Sequence, residues 1–180
     1  MIEITFPSVL ILITAVWLLI RTAAAVRNRK VNWRREAKLL TVYCCIAVIA
    51  RLVYFPGHLE HGRIGTLVFD PERIRPPWIN AVPFARLFDR YEGWQRNLFG
   101  NIAMFIPVGL VWPFCFKKLD SVGKTVLAGA AFSLLIELSQ LLFYQRGTDI
   151  DDLITNTAGA LIGALIYFLI RRLLRRRKPE

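Results

Sequence analysis

At 180 residues the chain has the length of one domain, yet 55% of its residues are hydrophobic and its mean hydropathy is +0.43, against roughly 45–50% apolar residues in soluble domains. A net charge of +11 and a pI near 10.2 raise nucleic acid as a partner, but fifteen of the twenty-four Lys and Arg fall in three segments, Arg27–Lys38, Lys117–Lys124 and Arg171–Lys178. These alternate with long apolar runs as cytoplasmic loops do under the positive-inside rule, which argues against a soluble enzyme and against a nucleic-acid partner.

The apolar runs predict five transmembrane helices at about 4–26, 37–56, 98–116, 122–144 and 153–170, each of the length that crosses about 30 Å of hydrocarbon. The fold class expected is therefore an all-α membrane protein with its N-terminus outside and its C-terminus inside, the whole of residues 1–180 forming one membrane domain. The first run has Glu3 before it and Arg21, Arg27 and Arg29 at or after its end, the reverse of a secretory signal's charge order, so it reads as a retained helix. Cys44, Cys45 and Cys115 fall inside predicted spans and read as small buried hydrophobes.

Between the second and third spans lies the one long connection, an outer loop over 57–96, too long for a turn and expected to be ordered by its own elements. It opens with His58 and His61, which carry no metal signature by themselves, and holds a β-like run, Thr66–Phe69, ended by Asp70-Pro71. Further on, Phe84, Leu87, Phe88 and Tyr91 follow i, i+3, i+4, i+7 spacing opposite Arg86, Asp89, Arg90 and Glu92. That pattern predicts a short amphipathic helix on the outer leaflet, or packed on the bundle, with Trp78 and Trp94 as interfacial anchors. Pro107 in the third span predicts a kink or a local unwinding, and Gly159-x-x-x-Gly163 gives the fifth span a smooth face for close packing within the chain. The basic run after it reads first as a stop and orientation signal and second as an attractor of anionic lipid.

Polar residues within apolar spans are costly enough to carry information, at about 2.5–3.5 kcal/mol for a central charge on the insertion scale. By the helical rise, Arg51 lies about 7.5 Å below the outer end of the second span and Glu137 about 10 Å below that of the fourth. Their matched depth and opposite sign point to a pair, although an aspartate of the next loop would serve Arg51 equally well. Asn97 and Asn101 stand one turn apart at the outer end of the third span, Asp152 and Asn156 likewise in the fifth, and Gln140 shares a face with Glu137. By contrast Arg21, near the inner end of the first span, is expected to snorkel to the cytoplasmic surface. The densest segment is Arg146-Gly-Thr-Asp149-Ile-Asp151-Asp152. Its three carboxylates would suit a hard cation or a group bearing amines and hydroxyls, with Glu137, Asp149 and Asp152 as the metal candidates. Asp149 also has the position of an N-cap, with Asp152 three residues on.

Four stretches give the chain a resemblance. Asn80-Ala-Val-Pro-Phe84, Asn97-Leu-Phe-Gly-Asn101-Ile-Ala-Met-Phe-Ile-Pro107-Val-Gly109, Glu137-Leu-Ser-Gln140 and Arg146-Gly-Thr-Asp149-Ile-Asp151-Asp152, running into Asn156-Thr-Ala-Gly159, follow in the order of the VanZ-like family of small integral membrane proteins. The resemblance covers the second half of the chain and the loop before it. It implies a multi-pass cell-membrane protein, typical of Gram-positive bacteria, in a family whose named member is associated with teicoplanin resistance. It implies no reaction and no cofactor.

Two functions follow as expectations. One is a non-enzymatic protein whose outward polar pocket, made of Arg51, Asn80, Asn97, Asn101, Glu137, Gln140, Arg146, Asp149, Asp151, Asp152 and Asn156, binds or shields an envelope component such as a lipid-linked precursor or a lipoglycopeptide. The alternative is a membrane enzyme acting on a phospholipid or polyprenyl-linked precursor, with Glu137 and the aspartates as acid and base or as ligands to a divalent cation. The absence of a Walker loop, HExxH, CxxC or G-x-S-x-G motif places it second. A transporter ranks third, since no inverted repeat is seen.

Overall fold

The computed structural model describes residues 2–29, 31–55, 59–60, 63–69, 79–84, 94–143 and 146–176. They form β1 (Ile2–Ile4), α1 (Phe6–Asn28), α2 (Trp33–Tyr54), β2 (Leu59–Glu60), β3 (Arg63–Ile64), β4 (Leu67–Phe69), β5 (Ile79–Asn80), α3 (Trp94–Cys115), α4 (Val122–Gln140), β6 (Thr148–Asp149) and α5 (Ile150–Arg176). All five helices are long and apolar enough to cross a membrane, and many of their large side chains, among them Ile11, Leu19, Leu127 and Leu135, are exposed. In a bilayer such faces meet acyl chains. The chain divides into two compact units, Met1–Ile74 with Leu142–Arg146, and Arg75–Leu141 with Gly147–Glu180.

In the first unit, α1 starts later than the apolar run because Thr5 caps it, accepting from the Ser8 amide, and Pro7 stands in its first turn, where a missing N–H costs nothing. The preceding Ile2–Ile4 pairs antiparallel with Leu67–Phe69, so the β-like run of the loop is a strand, and its partner is the chain's own N-terminus. Asn32 caps α2, accepting from the Arg35 amide, which places Glu36 inside the helix. There Glu36 meets Arg21 of α1 through two hydrogen bonds, Nε to Oε2 at 2.7 Å and Nη2 to Oε1. Arg21, expected to snorkel, thus has a carboxylate within reach that satisfies its fork. Thr14 and Tyr43 share a further hydrogen bond between α1 and α2, 2.8 Å. Cys44 is exposed and Cys45 and Cys115 partly so, hence not buried as expected; a thiol is apolar enough for a lipid-facing position.

The second unit is built on α5, which packs most extensively on α3 and next on α4. The cause is legible in its glycines. A Cβ on Gly159 would lie 2.1 Å from the Ile102 carbonyl oxygen, one on Gly163 2.1 Å from that of Ile106, and one on Gly109 2.1 Å from that of Ala160. The α3 and α5 backbones thus touch directly, with Ala160, Ala164, Phe105 and Val108 fully buried along the seam. Where apolar area gives no driving force, such close packing holds helices together. α3 stays helical through Pro107 and Pro113, so the expected unwinding does not occur. Ser121 caps α4, and this helix stops at Gln140 rather than running to 144, because Leu141 and Leu142 turn and Phe143 bridges to Phe69. α5 runs six residues past the predicted end, its last arginines staying helical.

The amphipathic helix expected at 84–91, apart from Phe84, and the residues His58, His61, Trp78 and Asp70-Pro71 lie outside the described residues.

Candidate functional site: a buried polar cluster at one end of the bundle

The cluster begins with the turn into α5. Asp149 is its N-cap: Oδ1 accepts from the Asp151 amide at 3.0 Å, satisfying one of the four donors a helix start leaves unpaired. Ahead of it, Thr148–Asp149 pairs parallel with Ile79–Asn80, bringing the Asn80 side chain to the same carboxylate, Nδ2 to Oδ1 at 3.0 Å. Asn80 also accepts from the Val82 amide at 3.3 Å, which folds Ala81–Phe84 back over the helix start. Phe84 then takes a left-handed backbone (φ 64°), and its amide donates to Asp151 Oδ1 at 2.6 Å. The Asn80–Phe84 stretch is thus a clamp that reads two of the three aspartates.

The third, Asp152, accepts from Asn101 Nδ2 of α3 at 2.6 Å. Glu137, in the last turn of α4, accepts the Asp149 amide on Oε2 at 3.0 Å, while its own carbonyl accepts from Thr148 Oγ1 at 2.8 Å. One turn down the seam, Asn156 of α5 donates to Ser133 Oγ of α4 at 2.9 Å. Six of the expected residues, Asn80, Asn101, Glu137, Asp149, Asp151 and Asp152, therefore fall in one network of helix ends and loop, with Asn156 and Gln140 on the same facing helix surfaces. Glu137 sits closer to the helix terminus than its predicted depth of about 10 Å, because α4 ends at Gln140.

The cluster is buried, and its protein partners satisfy it incompletely. Glu137 and Asn156 are each 2% exposed, Gln140 6% and Asp151 8%. Gln140 Oε1, Asp151 Oδ2 and Asn156 Oδ1 are buried without a hydrogen-bond partner. Whichever way the Asn156 amide is turned, Ser133 serves only one of its ends. Buried unpaired acceptors each cost about 1–3 kcal/mol, so three in one region of a fold are an unusual concentration. With the Asn156 amide donating to Ser133, all three are acceptors that want a donor.

The remaining expected residues are Asn97, Arg51 and Arg146. Asn97 lies on the exposed side of α3. Arg51 and Arg146 belong to the first unit and Glu137 to the second, and each is described with the neighbours of its own unit. The Arg51 guanidinium lies 5.7 Å from the Phe6 ring centroid, within cation–π range. Arg146 Nη2 donates to the Tyr54 carbonyl at 2.8 Å, capping the C-terminal end of α2, where unpaired carbonyls and the helix dipole favour a cation. Burial lowers its proton affinity from the usual arginine value, and its Nε has no hydrogen-bond partner. Glu137, Asp149 and Asp152, the metal candidates, are held instead by amide donors, and among the described residues no three His, Cys, Asp or Glu side chains are grouped to hold a metal ion.

Sequence reasoning missed Ser133, Thr148 and the Phe84 amide. Ser133 stands one turn before Glu137 on the same face, a spacing that carries a signal; a backbone donor carries none.

The VanZ/LLP1 family model matches residues 9–171, nearly the whole chain. The chain belongs to the VanZ/LLP1 family. It is 32% identical over 102 residues to Protein VanZ of Enterococcus faecium, an alignment covering 57% of this chain and 60% of that protein. No solved structure matches the chain. Family and helices together make this a multi-pass membrane protein.

Proposed function

We propose that this VanZ/LLP1 protein binds an envelope component bearing amine or hydroxyl donors at the cluster around Glu137, and so alters access of a lipoglycopeptide such as teicoplanin to a Gram-positive cell surface. The observation that carries the reading is the trio of buried acceptors without donors, Gln140 Oε1, Asp151 Oδ2 and Asn156 Oδ1, beside a carboxylate that is 2% exposed. Sugar hydroxyls and peptide amines of a lipid-linked precursor or a lipoglycopeptide would supply the missing donors. The carboxylates of the turn already accept protein N–H groups, which favours recognition over acid–base turnover. Similarity to Protein VanZ supports the envelope context.

In this reading the N-terminus is outside and the C-terminus inside, by the placement of the basic segments 27–38, 117–124 and 171–178. The cluster then faces outward, and residues 1–180 act as one membrane domain. Expression in a teicoplanin-sensitive host tests the reading. Wild type is expected to change susceptibility and surface-bound drug, and Asn156→Ala at equal membrane level to abolish both changes; wild type that leaves both quantities unaltered would overturn it.

A further inference from the structure

At the other end of the second unit, α3 and α5 leave a groove of about 740 Å³ lined by Leu110, Phe114, Tyr167, Ile170, Leu174 and the two arginines Arg171 and Arg175. Positions 167, 170, 171, 174 and 175 follow i, i+3, i+4, i+7, i+8 spacing and form one stripe of α5. From Tyr167 to Arg175 the stripe runs about 12 Å along the axis, apolar at its start and cationic at its end. The Tyr167 hydroxyl donates to the Pro113 carbonyl at 3.4 Å, one of the carbonyls left over at the end of α3, and this fixes the groove wall. A neighbouring hollow of about 410 Å³ is lined by Asp120, Phe168, Arg171, Arg172, Arg175 and Arg176. Its one carboxylate is already engaged: Asp120 is 2.8 Å from Lys124, whose ammonium holds it below the usual carboxylate range.

We propose that this groove is a binding site for an anionic phospholipid, one acyl chain lying along Leu110, Phe114, Tyr167 and Ile170, and the phosphate held by Arg171 and Arg175. Charge and depth select the occupant. Four arginines opposed by one carboxylate that is already paired attract an anion, and two guanidiniums one turn apart match the oxygens of a phosphate. Leu110 lies about 7.5 Å inside the end of α3, at hydrocarbon depth, where a free phosphate or a soluble acidic peptide has no reason to reach. A second copy of the chain would bring the same arginines and be repelled. Basic pockets between transmembrane helices are where anionic headgroups dock.

The test is thermal stability of the purified full chain in a zwitterionic detergent, titrated with phosphatidylglycerol, phosphatidylcholine or inorganic phosphate. Wild type should be stabilised by phosphatidylglycerol and by neither of the others. Arg171→Gln/Arg175→Gln, which keeps Lys117, Lys118, Lys124, Arg172 and Arg176, should respond to phosphatidylglycerol with about tenfold or more weaker apparent affinity. Leu110→Trp, which fills the apolar part and leaves every charge, should lose the response as well, and decides the matter if the arginine variant does not fold. Equal responses to the two lipids, a response reproduced by inorganic phosphate, an unaltered response in the variants, or a lipid-independent dimer of the chain would each overturn the proposal.

Discussion

Glu137 does two jobs at the end of α4: its carboxylate accepts the Asp149 amide and its carbonyl accepts the Thr148 hydroxyl. Glu137→Gln keeps an oxygen for the Asp149 amide, whereas Glu137→Ala leaves a buried N–H unpaired at a cost of about 1–3 kcal/mol. The alanine variant should therefore unfold at lower temperature than the glutamine variant in the same detergent; equal midpoints would mean that the amide finds another acceptor. Asp149→Ala removes both the cap on the Asp151 amide and the partner of Asn80, so it should cost about 1–2 kcal/mol and expose the 79–84 stretch to faster hydrogen exchange. Asparagine at 149, which retains an acceptor, should lose less. These polar residues were legible because carboxylates and amides stand out against apolar runs. Their partners were not: Ser133 and Thr148 are hydroxyls of a kind that spans tolerate freely by bonding their own helix, as Thr157 does, and the Phe84 amide has no side-chain signature.

At the scale of elements, contact between the α3 and α5 backbones rests on Gly109, Gly159 and Gly163. Gly159→Ala or Gly163→Ala places a methyl 2.1 Å from a carbonyl oxygen, and the helices must part, which should cost about 1–3 kcal/mol. Gly123→Ala, in open space on α4, makes the matched control and should be neutral or slightly stabilising through helix propensity. If all three substitutions behaved alike in thermal unfolding, close packing would not be what joins these helices. Apolar runs of spanning length made all five helices readable, but not their ends. Hydropathy cannot see that Ile2–Ile4 prefers a strand partner, that Pro7 and Thr5 set the start of α1, or that Phe143, though apolar, bridges to Phe69. Nor does a count of charges within spans reveal that Arg21 and Glu36 of successive helices meet.

At the scale of the molecule, the orientation and the ligand are the two quantities that link structure to function. A cysteine-free variant carrying a single cysteine at Val82 should react with an impermeant thiol reagent in whole cells, and one at Lys118 only after lysis; the opposite pattern would invert the orientation and remove the cluster from the outer surface. The central claim is that the buried acceptors near Glu137 hold a donor-bearing envelope component, and thermal shift of purified wild type and Glu137→Gln, each with teicoplanin, envelope lipids or divalent cations, tests it most directly. Wild type should be stabilised by a ligand that carries amines or hydroxyls and the variant markedly less, since the variant keeps an acceptor for the Asp149 amide but presents an NH2 donor where the wild type presents a second carboxyl oxygen. Identical shifts in the two proteins, or none with any ligand, would contradict the account and leave the cluster as the fastening of α3, α4 and α5.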